Sequence, residues 1–193
     1  MNRHKQTGMT LVELVVTLTV IAILASVAAP SFSDMLINNR LTALNNQVVS
    51  AINYTRSEAV KRVYNAVMCV RNSDGSGCTT DTSLGFEAGW IVFMNCNPTT
   101  NTTPDTASNV CDANGDGTLD SPESILLDSK PDVMSGITIT STTLNQKIGY
   151  KPTGNASANG TLLINTDGTT RYKITIALGT GRVSSCKVGT TGC

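Results

Sequence analysis

Residues 11–29 form an apolar run of about 19 residues broken by a single carboxylate, Glu13. About 20 such residues carry a helix across a bilayer core. The run therefore calls for a long apolar helix at the start of the chain. A carboxylate near the outer end of that helix costs roughly 2.5–3.5 kcal/mol on insertion scales, so Glu13 is a functional-site candidate. Arg3, His4 and Lys5 precede the run and lead into Gly8. The positive-inside rule keeps that leader in the cytoplasm and puts the rest of the chain beyond the membrane. An ordinary secretory signal fits poorly, because its small-residue cleavage site follows the apolar core. A plain single-pass anchor accounts for the hydropathy and leaves Glu13 unexplained.

Gly8-Met9-Thr10-Leu11-Val12-Glu13-Leu14 resembles the class III signal of type IV prepilins and type II secretion pseudopilins. The resemblance implies that a prepilin peptidase cuts between Gly8 and Met9 and methylates the new amino terminus on Met9. It implies that Glu13 guides subunit assembly. Met9 stands where the family usually has Phe; it is apolar and unbranched, and is expected to be tolerated.

The 193-residue chain has 14 basic and 14 acidic residues. Removing Arg3 and Lys5 with the leader leaves 12 against 14, a net of −2, which argues against a generally basic nucleic-acid surface. The one histidine, His4, lies in the leader, so the mature chain has no Ser–His or Cys–His pair. No carboxylate pair proposes itself as acid and base, and no enzymatic activity is expected. All six cysteines, Cys69, Cys78, Cys96, Cys111, Cys186 and Cys193, follow the apolar run. An even count in an exported domain suggests disulfides, with 15 connectivities open in principle. Pairing of sequence neighbours is the favoured guess, since each pair brackets a turn-rich loop. No pair has zinc-ligand spacing.

Beyond the run, Pro30 should kink or loosen the helix. Leu41, Leu44, Val48, Ala51, Thr55 and Ala59 then recur at three- and four-residue spacings, one stripe of a helix. Asn45, Asn46 and Arg56 fall mostly off it. This reads as one helix from about Met9 to about Arg62, its second half packing on a sheet. After Val63 the period changes, and short β-prone runs alternate with turns. Candidate strands are 66–71, 89–94, 124–127, 136–140, 147–151, 161–165, 171–177 and 182–187. Residues 72–75 and 166–168 read as turns, and 97–110 as a long polar loop. The expected class is α+β. A leader (1–8) precedes a membrane or filament-core helix (9–30), an amphipathic continuation (31–63) and a β-rich domain (64–193).

Four later segments narrow the family. Tyr54-Thr55-Arg56-Ser57-Glu58-Ala59-Val60-Lys61-Arg62, Gly89-Trp90-Ile91-Val92-Phe93, and Gly149-Tyr150-Lys151-Pro152-Thr153-Gly154 with Gly181-Arg182-Val183 resemble the H-type pseudopilins and the FimT/FimU minor pilins. The resemblance implies a pilin-like fold and a minor pilin in, or initiating, a type IV filament. Its partners would be major and minor pilins or pseudopilins, the prepilin peptidase and the bacterial inner membrane, with the C-terminal domain periplasmic. One alternative is a type II secretion pseudopilin; another is a pilus-borne DNA receptor for transformation. In the FimT branch, a Gly-Arg-x-Arg segment is associated with DNA binding. Here Gly181 and Arg182 match and Ser184 replaces the second arginine. Arg171, Lys173, Arg182 and Lys187 are the candidate contacts. Solvated cations on a β surface are the favoured reading, with weak DNA binding at most.

Residues 112–123 match a calcium-loop pattern at every fixed position, Asp112, Asn114, Asp116, Gly117 and Glu123, with Thr118 and Asp120 as further candidate ligands between them. Calcium takes six to eight oxygens, which alternate side chains, the Thr118 carbonyl and a bidentate Glu123 supply. Flanks that read as loop and strand, and Pro122 before the last ligand, favour an ordinary turn. A structural Ca²⁺ is preferred over that turn.

Overall fold

The computed structural model describes residues 9–75, 77–79, 81–95, 125–144, 146–191 and 193, with the side chains of 27–31 and 95 outside the description. One helix, α1 (Leu11–Arg62), is followed by eight strands: β1 (Asn65–Val70), β2 (Trp90–Asn95), β3 (Ile125–Ser129), β4 (Ile137–Ser141), β5 (Lys147–Tyr150), β6 (Gly160–Thr166), β7 (Thr169–Ile176) and β8 (Val183–Lys187). Each overlaps a run expected from sequence. A short 3-10 turn, Phe86–Ala88, leads into β2. The helix assignment passes through Pro30 without a break.

The chain separates into two compact units, Met1–Thr42 and Ala43–Cys193. The last five turns of α1 thus belong with the strands. The stripe explains why: Leu44, Val48, Ala51, Thr55 and Ala59 are all buried, joined by Ile52. Each large aliphatic side chain buried this way contributes roughly 1.5–3 kcal/mol. Asn45, expected off the stripe, is buried at 6 % exposure and accepts a hydrogen bond from Ser185 Oγ at 2.8 Å. That partner offsets the cost of burying an amide.

Two four-stranded antiparallel sheets make up the second unit, ordered β3-β2-β1-β5 and β4-β6-β7-β8. β1 lies inside the first sheet and is buried on both faces from Ala66 to Val70. Val67 and Cys69 pair with Phe93 and Ile91, and Cys78 packs against that cluster. The Cys69–Cys78 disulfide closes the intervening loop. β6 alternates buried and half-buried residues along its length, the pattern of a strand with one core face. It turns into β7 through Asp167 and Gly168, both at positive φ (49° and 75°), as a tight hairpin requires.

Among the described residues, no helix is long and apolar enough to cross a membrane. The expected span over residues 11–29 runs into 27–31, whose side chains lie outside the description.

Candidate functional site

Thr10 stands immediately before α1, and Glu13 lies in its first turn. The Glu13 N–H donates to Thr10 Oγ1 at 3.3 Å. In return, Glu13 Oε2 accepts from the Thr10 N–H and hydroxyl, each at 3.3 Å. This reciprocal arrangement is a capping box, and it satisfies backbone donors that a helix start otherwise leaves open. Its sequence signal is the Thr-x-x-Glu spacing ahead of an apolar run. The carboxylate also sits at the positive end of the helix dipole. Glu13 is therefore partnered within its own chain.

Around it the helix is apolar on every side. Leu11, Val12, Leu14, Val15, Val16 and Leu18 are each about half exposed or more. A helix that is hydrophobic all round is made for an apolar surrounding, and a patch of this extent marks an interaction site. Met9, 70 % exposed, begins the described chain. Gly8, the other half of the expected cleavage site, lies outside the described residues.

Three of the family-like segments, those around Arg56, Tyr150–Gly154 and Gly181, meet at one joint. Arg56 projects from α1 and donates from Nε to Gly154 O and from Nη2 to Thr180 O, both at 2.9 Å. The buried Tyr150 hydroxyl donates to Gly181 O at 3.1 Å. Gly181 has φ 62°, and a Cβ there would lie 2.2 Å from Gly154 O and 2.9 Å from Tyr150 Cε1. Only glycine fits. Burial pushes the Tyr150 phenol up to about 12, against the opposing charge of Arg56. Three segments far apart in sequence thus form a structural tie with no vacant reactive group. Glu58, nearby on α1 and buried, is held by Arg62 at 2.7 Å and Lys61 at 3.8 Å.

Arg171, Lys173, Arg182 and Lys187 are all exposed. Lys173 pairs with Cys186, and Lys187 pairs with Tyr172. Side chains alternate along a strand, so Arg171, Lys173 and Arg182 fall on one face of the β7–β8 ribbon and Lys187 on the other. The four do not make a single basic face. Beside them the Cys186–Cys193 disulfide closes the turn after β8.

The calcium-loop residues Asp112, Asn114, Asp116, Thr118, Asp120 and Glu123, and Cys96 and Cys111, lie outside the described residues. Among the described residues, no group of three or more His, Cys, Asp or Glu could hold a metal ion.

Residues 44–180 match the family model described as "Type II transport protein GspH", and residues 3–29 match the prokaryotic N-terminal methylation motif. No curated protein matches the chain. Among solved structures, the chain resembles the Pseudomonas aeruginosa type IV minor pilin FimU in two crystal forms. One has a TM-score of 0.51 at 14% identity, covering 76% of this chain and 88% of that one. The other has 0.50 at 13%, covering 77% and 94%. At such identities the likeness speaks to the fold: a helix joined to an antiparallel sheet domain, as in a pilin. The family match spans well over half of the chain, from the buried stripe of α1 to the Arg56 joint, and the protein belongs to the GspH family.

Proposed function

We propose that this protein is a minor pilin, incorporated into a type IV filament or initiating it, and acting as a structural subunit and not as an enzyme. The observation that carries the reading is the pairing of a methylation motif over 3–29 with a GspH domain over 44–180. The all-round apolar start of α1 supports it, since such a surface suits first a membrane and then a bundle of neighbouring helices. The steps follow from the chemistry. The precursor is anchored in the bacterial inner membrane by residues 11–29, with its β-rich domain in the periplasm. A prepilin peptidase cuts between Gly8 and Met9 and methylates Met9. Glu13 then pairs with the terminal amine of a neighbouring pilin. The resemblance to FimU, a type IV minor pilin, points the same way.

A second reading, a minor pseudopilin in type II secretion, is favoured by the family's description as a type II transport protein. Contact with DNA is at most weak and salt-sensitive, because Ser184 stands in place of the second arginine and the chain without its leader has a net charge of −2. A Ca²⁺ ion bound by Asp112, Asn114, Asp116, Thr118, Asp120 and Glu123 would have a structural role.

Mass spectrometry of the filament fraction tests processing directly. A methylated Met9 terminus is expected, and an intact leader refutes the reading. Deleting the gene separates the two systems: lost surface filaments with normal exoprotein export supports the pilus, and the reverse supports secretion.

A further inference from the structure

The second sheet ends in two unlike edges. At β4 the edge is closed. Ile139 N–H donates to Glu87 Oε2 at 2.7 Å, and a Cβ on Gly85 would come within 2.4 Å of Ile139 O. The turn before β2 therefore sits on that strand, and a further strand could be added only by moving it. At β8 the described residues supply no such cover. Val188 N–H donates to Arg171 O at 2.9 Å, and Ala177 N–H to Arg182 O at 3.0 Å. With the register of β7 and β8, residues 182, 184, 186 and 188 turn their backbone groups toward β7. Residues 183, 185 and 187 turn theirs outward. Lys187 O is taken by Thr190 N–H at 3.2 Å. The outward N–H groups of Val183, Ser185 and Lys187, and the carbonyls of Val183 and Ser185, have no partner among the described residues. Ser184, Ser185 and Lys187 are exposed.

The charged side chains of this last stretch of sequence have one sign. Residues 169–193 contain Arg171, Lys173, Arg182 and Lys187 and no acidic side chain. With Arg171, Lys173 and Arg182 on one face of the ribbon and Lys187 on the other, their arrangement suits an added strand. Side chains of such a strand alternate between faces, and each face offers a cation. A second β8 would instead crowd two Arg182–Lys187 pairs of like charge together. Edge lysines also serve to deter pairing, but this sheet closes its other edge by direct contact and, among the described residues, leaves β8 with open hydrogen-bonding groups.

We propose that the β8 edge is a docking site for an extended acidic segment of a partner polypeptide, added to the sheet as a fifth strand. Backbone hydrogen bonds to Val183, Ser185 and Lys187 would hold it, and Arg182 and Lys187 would select its charge. The inference does not depend on which filament system the protein serves.

The test uses the full chain in detergent and the blocked peptide Glu-Thr-Val-Thr-Val-Asp, whose acidic ends point to opposite faces. Binding is measured by calorimetry at physiological salt. Ser185→Pro removes one outward N–H and spares the β7 ladder, which uses residues 184 and 186. It should weaken binding about tenfold, the loss of one or two strand hydrogen bonds. Ser185→Ala, which loses only the hydroxyl, should change affinity less than about threefold. Arg182→Glu with Lys187→Glu should abolish binding. The same peptide N-methylated at alternate backbone nitrogens should not bind, an arm that needs no protein variant. Absence of binding to the wild type overturns the proposal. So does equal binding of the N-methylated peptide or of a single-stranded oligonucleotide of equal charge, since either means attraction to any polyanion. So does like behaviour of the Pro and Ala variants at position 185.

Discussion

Arg56→Ala should weaken the β-rich unit by an amount the joint itself sets. The guanidinium makes two hydrogen bonds to carbonyls, Gly154 O and Thr180 O. A hydrogen bond from a charged donor contributes about 1.5–3 kcal/mol net. Thr180 is exposed, so water replaces the arginine there at little loss. Gly154 is buried, and its carbonyl would be left without a partner. The expected cost is therefore about 2–3 kcal/mol, most of it at Gly154. For a unit of this size that lowers the melting temperature by roughly 5–10 °C. Thermal melts of the detergent-solubilised chain, followed by circular dichroism, give the readout. Arg56→Lys, a point charge that can reach one carbonyl but not both, should recover about half of the loss. A shift under about 1 °C for Arg56→Ala would refute the reasoning and mean that water fills the joint without penalty.

Tyr150 should make stability fall in alkali. Its folded phenol titrates at about 12 and an unfolded one near 10, so its contribution is whole below about pH 10 and is lost as the pH rises toward about 12. Tyr150→Phe should flatten that decline in pH-dependent melts while costing about 1 kcal/mol at neutral pH; an unchanged alkaline slope would remove the tyrosine from the explanation. Glu13→Ala should insert in the membrane and enter filaments poorly. Glu13→Gln keeps an acceptor for Thr10 and loses the charge, so filament counts in the two variants separate helix capping from ion pairing; normal incorporation of both would end the assembly role. Millimolar Ca²⁺ should raise the melting temperature by mass action, and Asp112→Ala or Glu123→Ala should abolish the rise; no response of the wild type would leave the loop a plain turn.

The elements that sequence revealed are those whose period is set by one burial surface. The stripe from Leu44 to Ala59 and the alternation along β6 repeat at helix and strand spacings because each packs one face against the core. The turn at Asp167-Gly168 was legible because few residues accept positive φ. What stayed hidden depends on contacts between distant residues. Asn45 looked like a solvent-facing amide until Ser185, 140 positions away, supplied its partner. Arg56, off the apolar stripe in sequence, finds its acceptors 98 and 124 residues further on. The grouping of the four C-terminal cations needed the β7–β8 register, which no spacing along the chain reveals.

The capping box changes what joining a neighbour would mean for Glu13. A carboxylate with no partner would gain the full attraction of an incoming amine. This one already holds the Thr10 N–H and hydroxyl. Association then becomes an exchange, in which the new ion pair is offset by a weakened helix start, a loss of about 1 kcal/mol. A bond formed by exchange is shallow in free energy and can be undone without leaving a bare buried charge, because the carboxylate returns to its own threonine. If the protein assembles as proposed, Thr10 is the seat to which Glu13 goes back when a neighbour leaves.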